Sequence, residues 1–501
     1  MRNVLEYLEH SARKFPDKTA VTDPEKSCSY KDLLSNAKRI GSFLASSVSP
    51  GRPVAVFMDK SVEALTAFMG IVYAGCFYIL INPDQPADRI RQILNIADTD
   101  CIITPGDLKT ALPDIGFTGR VLSYYDIVKS GISEETLRLI RNLSQDIDPL
   151  YCNFTSGSTG VPKGVLVSHR SVIDFMEYFP SMFHITEDDI IGNQAPFDFD
   201  VSVKDIYAAL KTGAAMVIIP KRLFSIPTQL LDYICEYRVT TLIWAVSALC
   251  MVTQLKGLTY KVPSAVNKIL FSGEAMPIKH LKLWQSYLPH AEYVNLYGPT
   301  EITCNCTYYR IGRELDPDEM LPIGKAFPNE KVFLLNQEDK LVTEKETIGE
   351  ICVSGTALAL GYYNNPEQTR QAFVQNPLNT HYLETVYRTG DLAFYNEKGE
   401  LCFAGRKDFQ IKHMGHRIEL EEIELTLNSY PDIQRACCVF DTAKNRITAF
   451  YVGSMEGKQI AGRMKESLPS YMIPSAFFPL PELPLTANGK IDRKKLLEMR
   501  G

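Results

Sequence analysis

No stretch of this chain reads as a secretion signal or a membrane span. Near the start, Glu6, Glu9 and Lys14 interrupt what would have to be an apolar signal core. The longest apolar stretch, Ala64 to Pro83, is broken by Gly70 and Gly75 and ends rich in β-branched residues, so it predicts a buried helix running into a strand. Basic residues are scattered and outnumbered, 53 Lys and Arg against 59 Asp and Glu for a net charge of −6, which argues against a nucleic-acid partner. Of the twelve cysteines, Cys304 and Cys306 form a Cys-x-Cys pair with no second pair beside it, a poor zinc spacing. Without a secretion signal the thiols are expected to be reduced, many of them in the core, and the cytosol is the expected compartment. No internal repeat or low-complexity linker interrupts the sequence.

At 501 residues the chain exceeds what one hydrophobic core usually supports, so at least two domains are expected. Its 45% hydrophobic and 22% charged content is ordinary for a soluble globular enzyme. Val4, Leu5, Leu8 and Ala12 make an apolar helix stripe. Val54–Met58, Cys101–Thr104, Met216–Pro220, Thr240–Trp244 and Lys268–Phe271 read as strands alternating with helices, a pattern that implies parallel sheet with helices on both faces. From Lys331 through Cys352 to Phe403 strands dominate, which suggests a small barrel or an antiparallel sheet. A dense polar stretch from Arg406 to Arg417 marks the expected boundary near Asp408.

The most informative segment is Thr155-Ser156-Gly157-Ser158-Thr159-Gly160-Val161-Pro162-Lys163-Gly164, bracketed by strand-like residues. Glycines let several backbone N–H groups converge, hydroxyls add donors, and a lysine adds a mobile charge, as polyphosphate binding requires. It is not a Walker loop, because Pro162 stands where that pattern needs glycine. The segment resembles the phosphate loop of the adenylate-forming superfamily, which includes acyl-CoA synthetases, luciferases and nonribosomal peptide synthetase adenylation domains. Further motifs follow in that family's order: Tyr73-Ala74-Gly75, Phe199-Asp200-Val201-Ser202, Asn295 through Glu301, and Gly361-Tyr362-Tyr363. Tyr387 through Leu392, Gly405 through Lys412, Gly415 through Leu420, Leu468 through Pro474 and Asn488 through Arg493 complete the series.

The resemblance implies an α/β fold: a large domain over 1–407, with parallel α/β sheets and a barrel-like β region, hinged at Asp408 to a small mobile α/β domain over 408–501. It implies attack of a carboxylate on the α-phosphorus of ATP, with Mg2+ as cofactor and no tightly bound organic cofactor. A carboxylate is already a nucleophile, so such a site must align and neutralise charge rather than supply a base. By the same resemblance Thr155, Ser156, Gly157, Ser158, Thr159 and Lys163 hold the β- and γ-phosphates, Thr300 meets the α-phosphate, and Glu301 is the magnesium ligand. Tyr297 stacks on adenine and Asn295 bonds the base, within the run Asn295-Leu296-Tyr297-Gly298-Pro299, and Gly273-Glu274-Ala275 form the wall. Asp391 accepts from the ribose, Arg406 binds ribose or polarises phosphate, and Lys490 is the catalytic lysine bridging substrate carboxylate and α-phosphate.

Asp200, behind Phe199, directs the reading to the amino-acid-activating branch, where an aspartate here binds the substrate's α-ammonium. A cap for the following helix is the competing role, which Ser202 could also fill. Alignment to that branch adds Val201, Lys204, Trp244, Leu270, Ser272, Leu296, Cys304 and Asn305 to the pocket, with Trp244 shortening it. Lys204 either reads an acidic or amide side chain on the substrate, or snorkels outward, or pairs with Asp198 or Asp205. Phe271-Ser272-Gly273-Glu274 also resembles D-alanine–carrier protein ligases, although cysteine is expected there in place of Ser272, which counts against D-alanine. The sequence ends eight residues after Arg493. The aminoacyl group is therefore expected to go in trans to the phosphopantetheine thiol of a separate carrier protein; a monomer is also expected. An acyl- or aryl-CoA ligase and a non-catalytic adenylate-binding regulator are the competing readings.

Overall fold

In the computed structural model of the chain the described residues are all but 107–111, 113–114, 158–159, 317–318, 443, 486–490 and 500–501. The expected stripe near the start is the helix Leu5–Lys14, with Leu5, Leu8 and Ala12 buried. Ser61 caps the helix Val62–Tyr73 by accepting from the Ala64 amide. Every residue of that helix is buried. Gly75, at φ +71°, turns the chain into the strand Phe77–Ile81, so the long apolar stretch is the expected helix and strand. Among the described residues no helix is long and apolar enough to cross a membrane.

Two mixed sheets carry most of the molecule. One has nine strands, with Glu292–Tyr297, Lys268–Ser272, Thr241–Ala245, Ile190–Asn193, Ala215–Ile218 and Thr19–Thr22 side by side and parallel. Parallel neighbours need crossover connections, and the helices that supply them bury both sheet faces. Because Thr241–Ala245, Lys268–Ser272 and Glu292–Tyr297 run in one direction, the turns after Ala245, Ser272 and Tyr297 meet at one sheet edge. Open α/β sheets place ligands at that edge.

The second sheet has seven strands. Its hairpin Pro149–Thr155 and Lys163–Ser168 pairs Thr155 with Lys163, so the segment 156–162 is the hairpin's connection. Six antiparallel strands, from Glu330–Leu335 to Leu401–Arg406, form the expected β region. Beyond them come the hairpin Gln410–His413 and His416–Glu419, then a three-stranded sheet of Ile433–Asp441, Arg446–Gly453 and Ala476–Pro479. A separate core containing Ile418, Ile423, Leu427, Ala449, Ile460 and Met472 lies under that sheet. The twelve cysteines are free, and no cluster of metal-ligating side chains occurs among the described residues.

Candidate active site

The centre of the site is the turn that follows Glu292–Tyr297. Gly298 admits no side chain, since a Cβ there would lie 2.5 Å from the Cα of Asn305 and 2.7 Å from the carbonyl of Cys304. After the short 3-10 turn Thr300–Ile302, Thr303 and Cys304 adopt left-handed φ of 54° and 76°. The chain then doubles back, so that the Cys306 amide bonds the Tyr297 carbonyl at 2.9 Å. This folding buries Glu301 completely. Its Oε1 accepts from the Tyr362 hydroxyl at 2.7 Å, and the Arg417 guanidinium lies 2.9 and 2.8 Å from its two oxygens. Burial opposes ionisation, but Arg417, Lys163 and the Tyr362 hydroxyl outweigh it and hold the carboxyl at about 2.

Lys163, the first residue of the strand Lys163–Ser168, approaches this carboxylate. The Lys163 ammonium is 4.0 Å from Glu301 and 4.0 Å from Glu419, and 5.2 Å from the Tyr362 ring centre. Burial, reinforced by Arg417, pulls its pKa down to about 8 despite those carboxylates. Thr155 Oγ1 is buried with no hydrogen-bond partner. Such an orphan hydroxyl fits an oxygen-rich ligand. The Ser156 hydroxyl donates to the Arg417 carbonyl at 2.7 Å. Ser158 and Thr159 lie outside the described residues. A cavity of about 440 Å³ lies alongside, lined by Lys163, Tyr362, Arg406, Asp408, Arg417 and Glu419 among others.

On the same edge, the Asp391 carboxylate accepts from the Tyr297 hydroxyl and from Arg406. Asp408 takes the other side of that guanidinium, at 2.6 and 2.7 Å. The Lys412 ammonium is 5.5 Å from the Tyr297 ring centre. Asn295 donates its amide to the Pro322 carbonyl at 2.8 Å. Gly273, at φ +99°, leads into Glu274, whose Oε1 accepts from the Gly415 amide at 3.0 Å. Ala275 follows it in the same turn.

A second group of residues lies behind this edge. Asp200 is buried, and burial raises its pKa although the neighbouring Thr300 and Lys204 favour the charged form. The helix Ser202–Thr212 begins with no side-chain cap, so Asp200 is not a capping residue. Ser202 instead donates to the Phe199 carbonyl at 2.7 Å. Lys204 is fully buried and donates to Asn305 Oδ1 at 2.7 Å and Ser272 Oγ at 3.3 Å, so it does not snorkel outward. Neither Asp198 nor Asp205 forms an ion pair with it among the described residues; Asp198 accepts from Gln85 and Asp205 from Asn193. The Cys304 thiol meets the Asp200 carbonyl at 2.8 Å, and Leu270, Leu296 and Cys304 share one apolar cluster with Val203.

Trp244 does not belong to this group. Its indole N–H donates to the Gly192 carbonyl at 2.8 Å and its ring packs on Phe224, in a different cluster with Leu242 and Phe271. Successive strand residues face opposite sides of a sheet. It is Ile243, one residue earlier, that clusters with Leu270 and Leu296. The expectation that Trp244 shortens the pocket is therefore corrected.

The segment after Asp408 brings the hairpin to the site: Gly415, expected with its neighbours near the adenylate during thiol transfer, and with it Lys412 and Arg417, which had no role assigned to them by name. Tyr362, from the second sheet, was likewise not expected in the site, and its motif was its only signal. Gly415, at φ +79°, sits at the hairpin tip, where a Cβ would come 3.1 Å from that of Ala245. His416 stacks on Tyr471 at 3.7 Å and meets the edge of Phe199 at 5.2 Å. Arg89 and Glu422, both buried, form an ion pair that spans the two parts of the molecule. Lys490 lies outside the described residues; on either side of it, Leu485 and Ile491 form a β-bridge.

The family described as AMP-binding enzyme matches residues 8–363, and the AMP-binding enzyme C-terminal domain matches residues 422–490. Tyrocidine synthase 1 of Brevibacillus parabrevis is 32% identical over 99% of this chain and 45% of its own length. Bacitracin synthase 1 of Bacillus licheniformis is 34% identical over 99% of this chain and 9% of its own. The chain thus spans less than half the length of these relatives. Among solved structures, holo-PA1221, an NRPS protein containing adenylation and PCP domains, superposes with a TM-score of 0.85 at 26% identity, covering 99% of this chain and 84% of that one. The adenylation domain AlmE of Vibrio cholerae, solved with glycyl-adenosine-5'-phosphate, has the same fold, with a TM-score of 0.86 at 22% identity over 99% and 97% of the two chains.

Proposed function

The chain belongs to the AMP-binding enzyme family, and from that premise we propose that it activates an amino acid as its adenylate and passes the aminoacyl group to a phosphopantetheine thiol on a carrier protein. The observation that carries this reading is Asp200. It is buried, caps no helix, and neighbours Thr300 of the turn that bears Glu301. A buried carboxylate so placed is stabilised by a cationic guest, and an α-ammonium there sets the substrate carboxylate beside the phosphate residues.

In the adenylation step Lys163, Thr155 and Ser156 bind phosphate oxygens, a role that the family motif extends to Ser158 and Thr159. Thr300 and Arg406 stand by the α-phosphate, Asp391 takes the ribose hydroxyls, and Tyr297, Asn295 and Gly273–Ala275 hold the base. Lys490 brings substrate carboxylate and α-phosphate together. Glu301 is the residue to hold magnesium: it is buried, ionised and an oxygen donor, as a hard cation prefers. A magnesium ion there neutralises phosphate charge.

Arg417 and Tyr362 occupy the Glu301 oxygens in the arrangement described. Gly415 meanwhile rests on Glu274. We therefore assign this arrangement to thiol transfer, with residues 408–501 as the small mobile domain and Asp408 as its pivot. For adenylation the small domain turns, withdrawing Arg417 and bringing in Lys490.

The test is amino-acid-dependent ATP–pyrophosphate exchange across L- and D-amino acids, followed by transfer to a pantetheinylated carrier or to CoA. Exchange with an amino acid and preference for the carrier are expected. Exchange only with non-amino acids, followed by transfer to CoA, would favour an acyl-CoA ligase instead.

A further inference from the structure

The amino-acid reading brings one positive charge, the substrate's α-ammonium, against Asp200. That aspartate already faces a cation. Lys204 follows four residues later, in the first turn of Ser202–Thr212, and is completely buried. Both acceptors of its ammonium, Asn305 Oδ1 at 2.7 Å and Ser272 Oγ at 3.3 Å, are neutral. An ammonium carries three N–H donors, and Lys204 forms no ion pair among the described residues. Two aspartates, Asp200 and Asp205, lie within its electrostatic reach. Asp205 is shared between two cations: it is bonded to Asn193 at 2.6 Å, and both Lys204 and Lys60 lie within its electrostatic reach. Of the more distant groups, Lys412 and Glu301 act on Asp200 with opposite sign, so neither side of that balance replaces Lys204 as its nearest cation.

Docking an α-ammonium here therefore adds a cation to a buried pocket whose carboxylate is already shared. Burial alone disfavours the Lys204 charge and pulls its pKa down. An apolar substrate side chain would leave the imbalance in place. An amide would offer an acceptor without a charge. A second carboxylate supplies both.

Resting on the amino-acid reading above, we infer that the substrate is an acidic amino acid whose side-chain carboxylate is bound by Lys204, in a subsite completed by Asn305 and Ser272. Ile243 and Leu270, register partners on neighbouring strands, belong with Leu296 to one apolar cluster, so the polar contacts of the subsite come from Lys204, Asn305 and Ser272.

The experiment is ATP–pyrophosphate exchange by the full chain with both stereoisomers of aspartate and glutamate, set against asparagine, glutamine, alanine, leucine and 3-phenylpropionate. An acidic amino acid should give the highest kcat/KM. Lys204→Met should lower that value about a hundredfold or more, since it strands a buried carboxylate, and should raise exchange with a neutral amino acid of similar length. Nucleotide affinity, measured separately, should be unchanged in the variant. The wild-type panel needs no variant to fold. A neutral amino acid exceeding both acidic ones would overturn the inference and leave amino-acid activation intact. Exchange with 3-phenylpropionate alone would overturn the amino-acid reading itself.

Discussion

Lys163 illustrates how much a single residue's surroundings decide. Its ordinary pKa of 10.5 falls to about 8 because burial and Arg417 act against the ammonium, and Glu301 and Glu419 at 4.0 Å recover only part of the loss. The sign matters for binding. Below about pH 8 the free protein carries the charge that a triphosphate needs; above it the charge is lost and must be restored by proton uptake. ATP affinity should therefore be flat up to about pH 8 and weaken by up to about tenfold per unit above it. Calorimetry at pH 8.5 in buffers of different ionisation enthalpy should show proton uptake on ATP binding, and Lys163→Gln should abolish it. Glu301, held at about 2, contributes nothing to this limb. A pH-independent affinity with no proton uptake would mean that Lys163 does not meet the phosphates.

At the scale of elements, the strand Thr241–Ala245 separates packing from specificity. Trp244 points into the cluster with Leu242 and Phe271, while Ile243 joins the cluster that holds Leu270 and Leu296. Trp244→Ala should cost about 3–5 kcal/mol of stability in denaturant unfolding. It should leave the ranking of amino-acid substrates unchanged. Ile243→Ala should cost less stability and change that ranking in an exchange panel. The opposite pattern would return Trp244 to the pocket.

This register was not legible in the sequence, because every residue of Thr241–Ala245 is buried. A strand covered on both faces shows no polar alternation to reveal which side each residue takes. Other features were legible for plain reasons. The helix and strand in Ala64–Pro83 follow from an apolar run punctuated by glycine, and the sheet alternation follows from β-branched runs. The contact of Arg417 with Glu301, 116 residues apart in sequence, was not, because it depends on how the small domain is docked. Asp200 and Thr300 could likewise be read as separate motifs but not as neighbours, because their approach depends on the tertiary packing of segments distant in sequence.

The whole molecule is organised around one site served from two directions. The two large sheets bring Lys163, Glu301 and Asp200 together, the antiparallel region adds Asp391, and the hairpin Gln410–His413 and His416–Glu419 reaches them from beyond Asp408. If Asp408 is the pivot, Asp408→Pro, which fixes φ and removes a backbone donor, should separate the two half-reactions. Amino-acid-dependent exchange should persist while loading of the carrier falls by orders of magnitude. Equal loss of both would make Asp408 a structural partner of Arg406 and nothing more. The claim on which everything else rests is that a buried aspartate recognises the substrate's amine. The most direct measurement compares exchange kinetics for the preferred amino acid and for the same acid lacking its α-amine, in wild type and in Asp200→Ala. The account predicts that wild type favours the amino acid strongly, and that Asp200→Ala loses about 3–5 kcal/mol of that preference while the KM for ATP barely moves. Equal activity on both acids in wild type, or a preference that survives in Asp200→Ala, would contradict it.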